Sequence, residues 1–381
     1  KSDEFKALAD QLWGNGRKPN PVGKGRIIPG SYFPEDYQSL SLEKDLIVEE
    51  IPDANFAHRK IGEDDLYFVY HREEEAKRLN CSFRVDGRIP ELWYPDTGRI
   101  ERQAQFTQKD GRTNLAIDLD PNGSVFVVFR ENSAAIDPVV NVTPASGRVV
   151  LNEENKMQLM AKEVGLHNIE LASGKNIEIM VKQQQSPIAI NQEWKVEFDG
   201  PGLKGDKVVT FNTLTDWKDH ERDDIKHFSG TGTYRTILPV TQNWLADDKR
   251  VFLDLGTVNI AAEVIINGEN AGVLWKPPYT IDVTDQVKAG KNRIEIRVTN
   301  LWANRLIGDE SLEDTSGYEY RKYVTEGPMP RWYVNNEPMP EGPRSTFTTA
   351  NFYRKDRTLL PSGLLGPVRL VQENRIVLER E

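Results

Sequence analysis

The stretch between residues 228 and 300 constrains the fold more than any other part of this sequence, because it spells out a β-sandwich strand by strand. Apolar and polar residues alternate with a period of two, which places every second side chain on one buried face of a strand. Asn267-Gly268 is the strongest hairpin signal between the strands, and residues 289–292 give the next. The predicted buried residues form three triplets: Val251, Leu253 and Leu255; Ala262, Val264 and Ile266; Ile294, Ile296 and Val298.

The order of these elements resembles the jelly-roll sugar-binding domain that accompanies the catalytic barrels of glycoside hydrolase family 2 and its relatives. That resemblance rests on Tyr234-Arg235-Thr236, on residues 264–268 (VIING), on Pro278-Tyr279 and on Asp282-Val283-Thr284. A longer resemblance, to the C-terminal region of the α-L-rhamnosidases of glycoside hydrolase family 106, covers the chain from about residue 5 onward. The segments that carry it are Trp217, 228–230, 300–309 and 361–368, and, in the N-terminal half, 58–59, 64–69, 83–85, 90–98 and 123–129.

The family resemblance implies a catalytic domain that this sequence does not contain. Members of family 106 are large, and two acidic residues of an N-terminal (β/α)8 barrel carry their reaction; that barrel would lie upstream of Lys1. Eight βα units need roughly 250 residues of strands alternating with helices. This sequence has one clear helical start, Glu4 to Trp13, and otherwise short strands and turns. We therefore expect no catalytic residue within the chain.

Length and composition indicate a mainly β protein with two β-sandwich domains and a short helical N-terminal segment. The 381 residues exceed the roughly 250–300 at which single cores stop growing. The spacing of the strand signals predicts a β-sandwich over 46–187, and the resemblance implies that the N-terminal segment, 1–45, is the remnant of an α/β region and that 188–381 is a galactose-binding-like jelly roll. Within them, strands are expected at 66–70, 115–119, 125–129, 177–181 and 194–198, with the last strand at 366–371.

Charge and hydropathy exclude two classes of partner. A formal net charge of −10 disfavours nucleic acid and anionic lipid. No apolar run approaches the ~20 residues of a membrane-spanning helix. The partners that remain are a rhamnose-containing glycan and an upstream catalytic barrel, both implied by the resemblance, which also implies a periplasmic or extracellular location.

The candidate binding residues are aromatic rings and their polar neighbours. Flat apolar rings cover the C–H faces of a pyranose, and planar polar side chains bind its hydroxyl groups. Segment 300–310 is read as a loop that reaches toward an active site, and the irregular stretch 318–347 as a second functional loop. Each ring also has a structural alternative, since it can cover a core or pack against a neighbouring domain. The candidates are Trp275, Tyr279, Trp302, Asn304, Arg305, Asp309, Trp332 and Tyr333.

Metal and thiol chemistry receive little support from the sequence. Cys81 is the single cysteine, in a strand-like context that predicts a buried apolar residue rather than a nucleophile. The five histidines show no transition-metal spacing. We expect no cofactor, with a structural Ca²⁺ held by oxygen ligands from residues 216–224 as the one exception to consider.

Three functional interpretations stay open at this point. The first is a non-catalytic β region of a rhamnosidase that supports the barrel and contacts carbohydrate. The second is a free-standing carbohydrate-binding protein. The third is a complete small glycosidase with its site between the two domains.

Overall fold

The computed structural model describes residues 2–16, 18–28, 43–50, 55–317, 329–349 and 352–378. The described chain is mainly β, as predicted. Its helices are α1 (Ser2–Trp13), α2 (Asp223–Lys226), α3 (Ala303–Glu310) and α4 (Arg331–Val334), with 3-10 turns at Trp217–Asp219 and Gln242–Trp244.

Among the described residues, sixteen strands precede the predicted domain boundary near residue 188. They are β1 (Asn20–Val22), β2 (Gly25–Ile27), β3 (Leu46–Val48), β4 (Asn55–Ile61), β5 (Asp64–Tyr70), β6 (Lys77–Phe83), β7 (Arg88–Trp93), β8 (Ile100–Gln103), β9 (Thr107–Lys109), β10 (Arg112–Leu119), β11 (Ser124–Asn132), β12 (Val139–Thr143), β13 (Arg148–Leu151), β14 (Met157–Ala161), β15 (Gly165–Leu171) and β16 (Asn176–Val181).

Twelve strands follow that boundary in the part of the chain that the structure describes. They are β17 (Ile188–Ala189), β18 (Trp194–Asp199), β19 (Val208–Phe211), β20 (Thr231–Val240), β21 (Lys249–Asp254), β22 (Thr257–Asn259), β23 (Ala261–Ile266), β24 (Glu269–Leu274), β25 (Thr280–Asp282), β26 (Gly290–Thr299), β27 (Gly363–Gly366) and β28 (Arg369–Val377).

The segment predicted as one β-sandwich, 46–187, contains two separate hydrophobic clusters. In the first, the sheet β3-β6-β10-β9 packs on β5, β7 and β11 around Tyr67, Phe83 and Phe129. In the second, the sheet β12-β15-β16 packs on β13 and β14 around Leu159 and Ile169. Cys81 lies buried in the first cluster, as its context predicted.

The jelly roll forms the third cluster, and its pattern of buried residues matches the prediction. A six-stranded antiparallel sheet, β19-β18-β20-β26-β23-β24, contributes one wall, and β21 and β28 contribute the other. All three predicted triplets are buried there. Asn267 and Gly268 both adopt positive φ, 56° and 92°, and join β23 to β24 in the predicted hairpin.

Trp217 and Tyr234 lie at the centre of this core. The Trp217 Nε1 donates a 2.6 Å hydrogen bond to the Tyr234 hydroxyl oxygen, which also accepts from the Leu364 amide at 3.1 Å. Burial raises the pKa of Tyr234, so the hydroxyl stays protonated. A Cβ on Gly363 would lie 2.5 Å from the Trp217 Nε1, and φ at Gly363 is +97°. The core therefore requires glycine at this position.

Two local predictions were wrong. The predicted final strand 366–371 is split into β27 and β28, because Gly366 has a φ of 71° and Pro367 has no N–H to donate to a ladder. Segment 300–310, predicted as a loop, holds helix α3, because Ala303, Leu306 and Ile307 share one helical face and bury it. Of the predicted loop 318–347, residues 318–328 lie outside the described part, and 331–334 form α4.

Strand β28 joins the N-terminal half to the jelly roll. It pairs with β21 of the jelly roll on one side and with β14 of the second cluster on the other. The result is one continuous sheet that runs β25-β21-β28-β14-β13-β8-β7-β11-β5-β4. Two ion pairs reinforce this junction, Arg148 Nη2 to Glu373 Oε2 at 3.3 Å and Lys276 Nζ to Asp96 Oδ2 at 2.7 Å.

Candidate functional site

Strand register brings two of the predicted rings to one end of the jelly roll. Leu274, the last residue of β24, pairs with Ala262, and Thr299, the last residue of β26, pairs with Ala261. The chain segments that follow these strands therefore leave the sheet at the same end, about two strand spacings or ~10 Å apart. Trp275 follows β24 and is 58% exposed. Trp302 follows β26 and is 69% exposed.

Two further apolar side chains lie at the same end and were not predicted. Ile260 immediately precedes β23, and its amide donates to the Thr299 carbonyl; Leu301 lies next to Trp302, and both Ile260 and Leu301 are exposed. We call Trp275, Ile260, Leu301 and Trp302 the jelly-roll end. The signal that was available for the two missed residues is a bulky apolar side chain directly outside a strand boundary.

Asn304 lies beneath this surface and binds the protein itself. It is 1% exposed. Its Nδ2 donates to the Leu360 carbonyl at 2.8 Å and to Ser362 Oγ at 3.1 Å, and its Oδ1 accepts from the Leu360 amide at 2.8 Å. These bonds fix segment 360–362 against α3. The sequence shows only that Asn304 is a polar residue close to a tryptophan. The burial of its side chain depends on the helix to which it belongs.

Arg305 and Asp309 form a buried pair one helical turn apart. Arg305 Nη2 lies 2.8 Å from Asp309 Oδ1. Asp309 Oδ2 accepts from the Ser345 amide at 2.9 Å and from Thr346 Oγ1 at 2.7 Å. The pair thus holds segment 345–346 onto α3, and both side chains are below one-tenth exposed.

Trp332 and Tyr333 lie in α4 and pack beside Phe347. The Trp332 Nε1 donates to the Ser316 carbonyl at 2.8 Å, and its ring meets that of Phe347 edge-on at 5.2 Å. Tyr333 is more than half exposed and lies 6.1 Å from the Phe347 ring. Of this pair, Tyr333 offers the open surface.

Tyr279 is a structural residue at the same end as Trp275. Its hydroxyl donates to the Ile260 carbonyl at 2.8 Å, and its ring packs against the jelly-roll core. Burial raises its pKa. Trp275, in contrast, is outside every hydrophobic cluster of the described residues.

The outer face of the six-stranded sheet is occupied by a chain of ion pairs. Arg235 Nη1 lies 2.7 Å from Glu197, and its Nε lies 2.7 Å from Glu295. Arg297 continues the chain, to Glu295 at 2.7 Å and to Glu263 at 3.1 Å. The two arginines lower the pKa of Glu295 against the opposing effect of burial, which is the largest single influence. This face offers charges that already have partners, so the open ring surfaces of the jelly roll lie at its end.

Two of the carboxylates of residues 216–224, considered for Ca²⁺, are held by several protein partners each. Asp216 accepts from the amides of Lys218 and Ser362. Asp224 accepts from Arg222 and from two backbone amides, and Arg222 is the main reason why its pKa lies far below the usual range. Among the described residues, no group of three or more His, Cys, Asp or Glu side chains is arranged to hold a metal ion.

One carboxyl group at the domain junction has a raised pKa. Burial, assisted by the charge of Asp96, raises the pKa of Asp120, while Lys276 acts in the opposite direction. Because Lys276 also forms the ion pair with Asp96, these three residues meet where the strands around the first cluster contact the jelly roll. A raised carboxyl pKa is a feature of general acids, and ion-pair networks produce it as well.

Two family models match separate parts of the chain. Residues 1–108 match the alpha-L-rhamnosidase family, and residues 213–333 match the glycosyl hydrolase 2 galactose-binding domain-like family. The resemblance read from the sequence is confirmed by these matches.

Known proteins similar to this chain are much longer than it is. The structure of a rhamnosidase from Novosphingobium sp. PP1Y is 28% identical, with a TM-score of 0.65, over 97% of this chain and 28% of that one. A Formosa agariphila protein that carries the name beta-glucuronidase is 39% identical over 96% of this chain and 46% of its own length. A beta-galactosidase of Clostridium acetobutylicum is 28% identical over 40% of this chain and 19% of its own. The chain thus spans less than half the length of each.

Proposed function

We propose that this chain is the non-catalytic β region of an α-L-rhamnosidase-like glycoside hydrolase, because residues 1–108 match the alpha-L-rhamnosidase family and residues 213–333 match the galactose-binding domain-like family. In this role it supports a catalytic (β/α)8 barrel and contacts carbohydrate through the jelly-roll end. The observation that carries the proposal is the match of nearly the whole chain to little more than a quarter of a rhamnosidase structure.

The strand pairing of the described residues favours a non-catalytic β region over a catalytic barrel. Each strand ladder among them is antiparallel. A (β/α)8 barrel is built from eight parallel strands, and its catalytic residues lie at their carboxyl ends. The catalytic carboxylates are therefore assigned to a separate domain.

Helix α1 supplies a surface suited to that domain. None of its residues is buried, and it carries Phe5 at 74% exposure and Leu8 at 58% with Trp13 also exposed. These side chains cluster on one side of an amphipathic helix, and water contact with so many large apolar groups is unfavourable. We assign this face to packing against the barrel.

The substrate class is a rhamnose-containing glycan, and the site of action is periplasmic or extracellular. The family match at residues 1–108 supports rhamnose, while the names of the relatives refer to three different sugars. In the part of the chain that the structure describes, no helix has the length and apolar character needed to cross a membrane.

A titration tests the carbohydrate contact. L-Rhamnose and an α-L-rhamnosyl oligosaccharide are titrated into the chain while tryptophan fluorescence and heat are recorded. We expect saturable binding that Trp302→Ala and Trp275→Ala each weaken several-fold. Thr233→Ala, on the charged face of the sheet, is the matched control and leaves binding unchanged. Binding that is absent, or equally strong in all variants, contradicts the assignment.

A further inference from the structure

A second aromatic surface lies on the strands around the first cluster, which we call the first β unit. Cross-strand pairing places Phe68 beside Phe126, Phe126 beside Trp93, and Trp93 beside Ile100, so that one row crosses β5, β11, β7 and β8. Tyr70 lies two residues along β5 on the same face. We call these five residues the aromatic strip.

The strip faces away from the hydrophobic interior. The residues that alternate with it on β5 point into the first cluster, whereas no member of the strip packs against any of the three clusters. The rings contact one another instead: Phe68 lies 4.8 Å from Phe126 and 5.7 Å from Tyr70, centroid to centroid. With strands about 4.8 Å apart, the row forms a continuous apolar surface about 14 Å long.

The protein holds the central ring in place. The Trp93 Nε1 donates to Glu91 Oε2 at 2.8 Å, and Glu91 is fully buried. Arg130 binds the same carboxylate at 2.8 Å and lies over the indole, 5.0 Å from the ring centroid. An indole fixed in this way loses little conformational entropy when a ligand covers it.

The shape and charge of the strip favour a linear anionic ligand over a protein. The row is one residue wide, and polar Ser124 pairs beside Tyr70, whereas a stable protein interface covers about 800 Å² per partner. Arg72 lies over Tyr70 at 5.8 Å, and Arg59 is exposed on the neighbouring strand. Neither arginine forms an ion pair with a described residue, so two cations lie beside the strip without a carboxylate partner among these residues.

We propose that the aromatic strip binds a linear acidic glycan. Its sugar rings stack on Phe68, Phe126 and Trp93, since one strand spacing is close to the length of one pyranose residue. Its carboxylates lie near Arg59 and Arg72. This site goes beyond the function proposed above, because it lies on a different β unit from the jelly-roll end and holds the polymer rather than the sugar that is removed.

The test uses oligogalacturonate as the acidic probe and cello-oligosaccharide as the neutral one, titrated into the full chain. We expect saturable oligogalacturonate binding that weakens with added salt. Phe126→Ala should weaken it at least tenfold and Arg72→Gln several-fold. Phe252→Ala is the matched control, because this jelly-roll ring also lies under an arginine, Arg250 at 5.1 Å, and binding should not change.

Three results overturn the proposal. The first is no saturable oligogalacturonate binding by the folded chain. The second is oligogalacturonate binding by Phe126→Ala and Arg72→Gln that is as tight as that of the unsubstituted chain, and the third is cello-oligosaccharide binding as tight as oligogalacturonate binding. If Phe126→Ala fails to fold, Arg72→Gln decides, since Arg72 is exposed and its loss does not disturb a core. Trp302→Ala separates the two sites. It should impair rhamnose binding and leave oligogalacturonate binding intact.

Discussion

At the scale of single residues, the polar and aromatic side chains at the start of helix α3 have two different roles. Asn304 is buried with three hydrogen bonds to segment 360–362, while Trp302, the residue just before α3, is exposed to solvent. Both were predicted as sugar-binding residues from the same few letters of sequence. The start of the helix determines which of these two side chains a ligand can contact.

This division predicts opposite effects for two neighbouring substitutions. Asn304→Ala should lower the free energy of unfolding by about 1–3 kcal/mol, because it leaves buried backbone groups without partners. Trp302→Ala, at an exposed position, should change it by less than about 0.5 kcal/mol. Urea denaturation followed by circular dichroism measures both. Equal losses of stability in the two variants would mean that the division is wrong.

Cys81 should be chemically inert in the folded protein. Burial raises the pKa of its thiol to about 12 from an ordinary value of 9.0, so at pH 8 the reactive thiolate is scarce. We expect no labelling by iodoacetamide at pH 8 in the native state and full labelling in guanidinium chloride. Because the folded pKa is raised, the stabilising contribution is complete below pH 9 and is lost as the pH rises through 12. Rapid native labelling at pH 8 contradicts this.

At the scale of elements, α1 leaves its apolar side chains in water: none of its residues is buried, and Asn20 binds only its backbone, at the Gln11 and Leu12 carbonyls. Phe5→Ser with Leu8→Ser should leave the unfolding free energy of this chain within about 0.5 kcal/mol, since both side chains are already in water. In a protein that also contains the catalytic barrel, the same double variant should lower the melting temperature. Differential scanning calorimetry of both forms makes the comparison. A large loss of stability in this chain alone would assign α1 to its own core.

Strand β28 is the element that joins the jelly roll to the strands of the second cluster. Ile376 pairs with Leu159 of β14, and the Leu378 amide, two residues on, donates to Met157 at 2.8 Å. By the alternation of an antiparallel ladder, the Ile376 N–H also faces β14. Ile376→Pro should therefore split thermal unfolding into two transitions. Ile376→Ala, which keeps the N–H, should retain one, and a single transition in the proline variant argues against the junction.

The elements also mark what the sequence could and could not predict. Period-two alternation identified the strands around Val264 and Ile296, because burial on one face leaves a local signal. The junction through β28 has no such signal, since it pairs residues more than 200 positions apart, such as Ala161 and Asn374. The aromatic strip could not be predicted for the same reason, because Phe68, Trp93 and Phe126 become neighbours only through strand register.

At the scale of the whole molecule, the described residues carry two groups of aromatic rings that lie outside the hydrophobic clusters. The jelly-roll end carries exposed tryptophans, and the aromatic strip carries a row of half-buried rings beside Arg59 and Arg72. Separate sites on two sheets of one chain suit a polymer that is held at one place and processed at another. The central claim is that the processing belongs to a different domain.

The most direct test of that claim is hydrolysis of an aryl α-L-rhamnoside by the purified chain. We predict no turnover above the buffer background, with the chain folded and still binding rhamnose. Turnover that Asp120→Asn abolishes would contradict the account. It would place catalysis at the junction between the first β unit and the jelly roll, where burial raises the pKa of that carboxyl group.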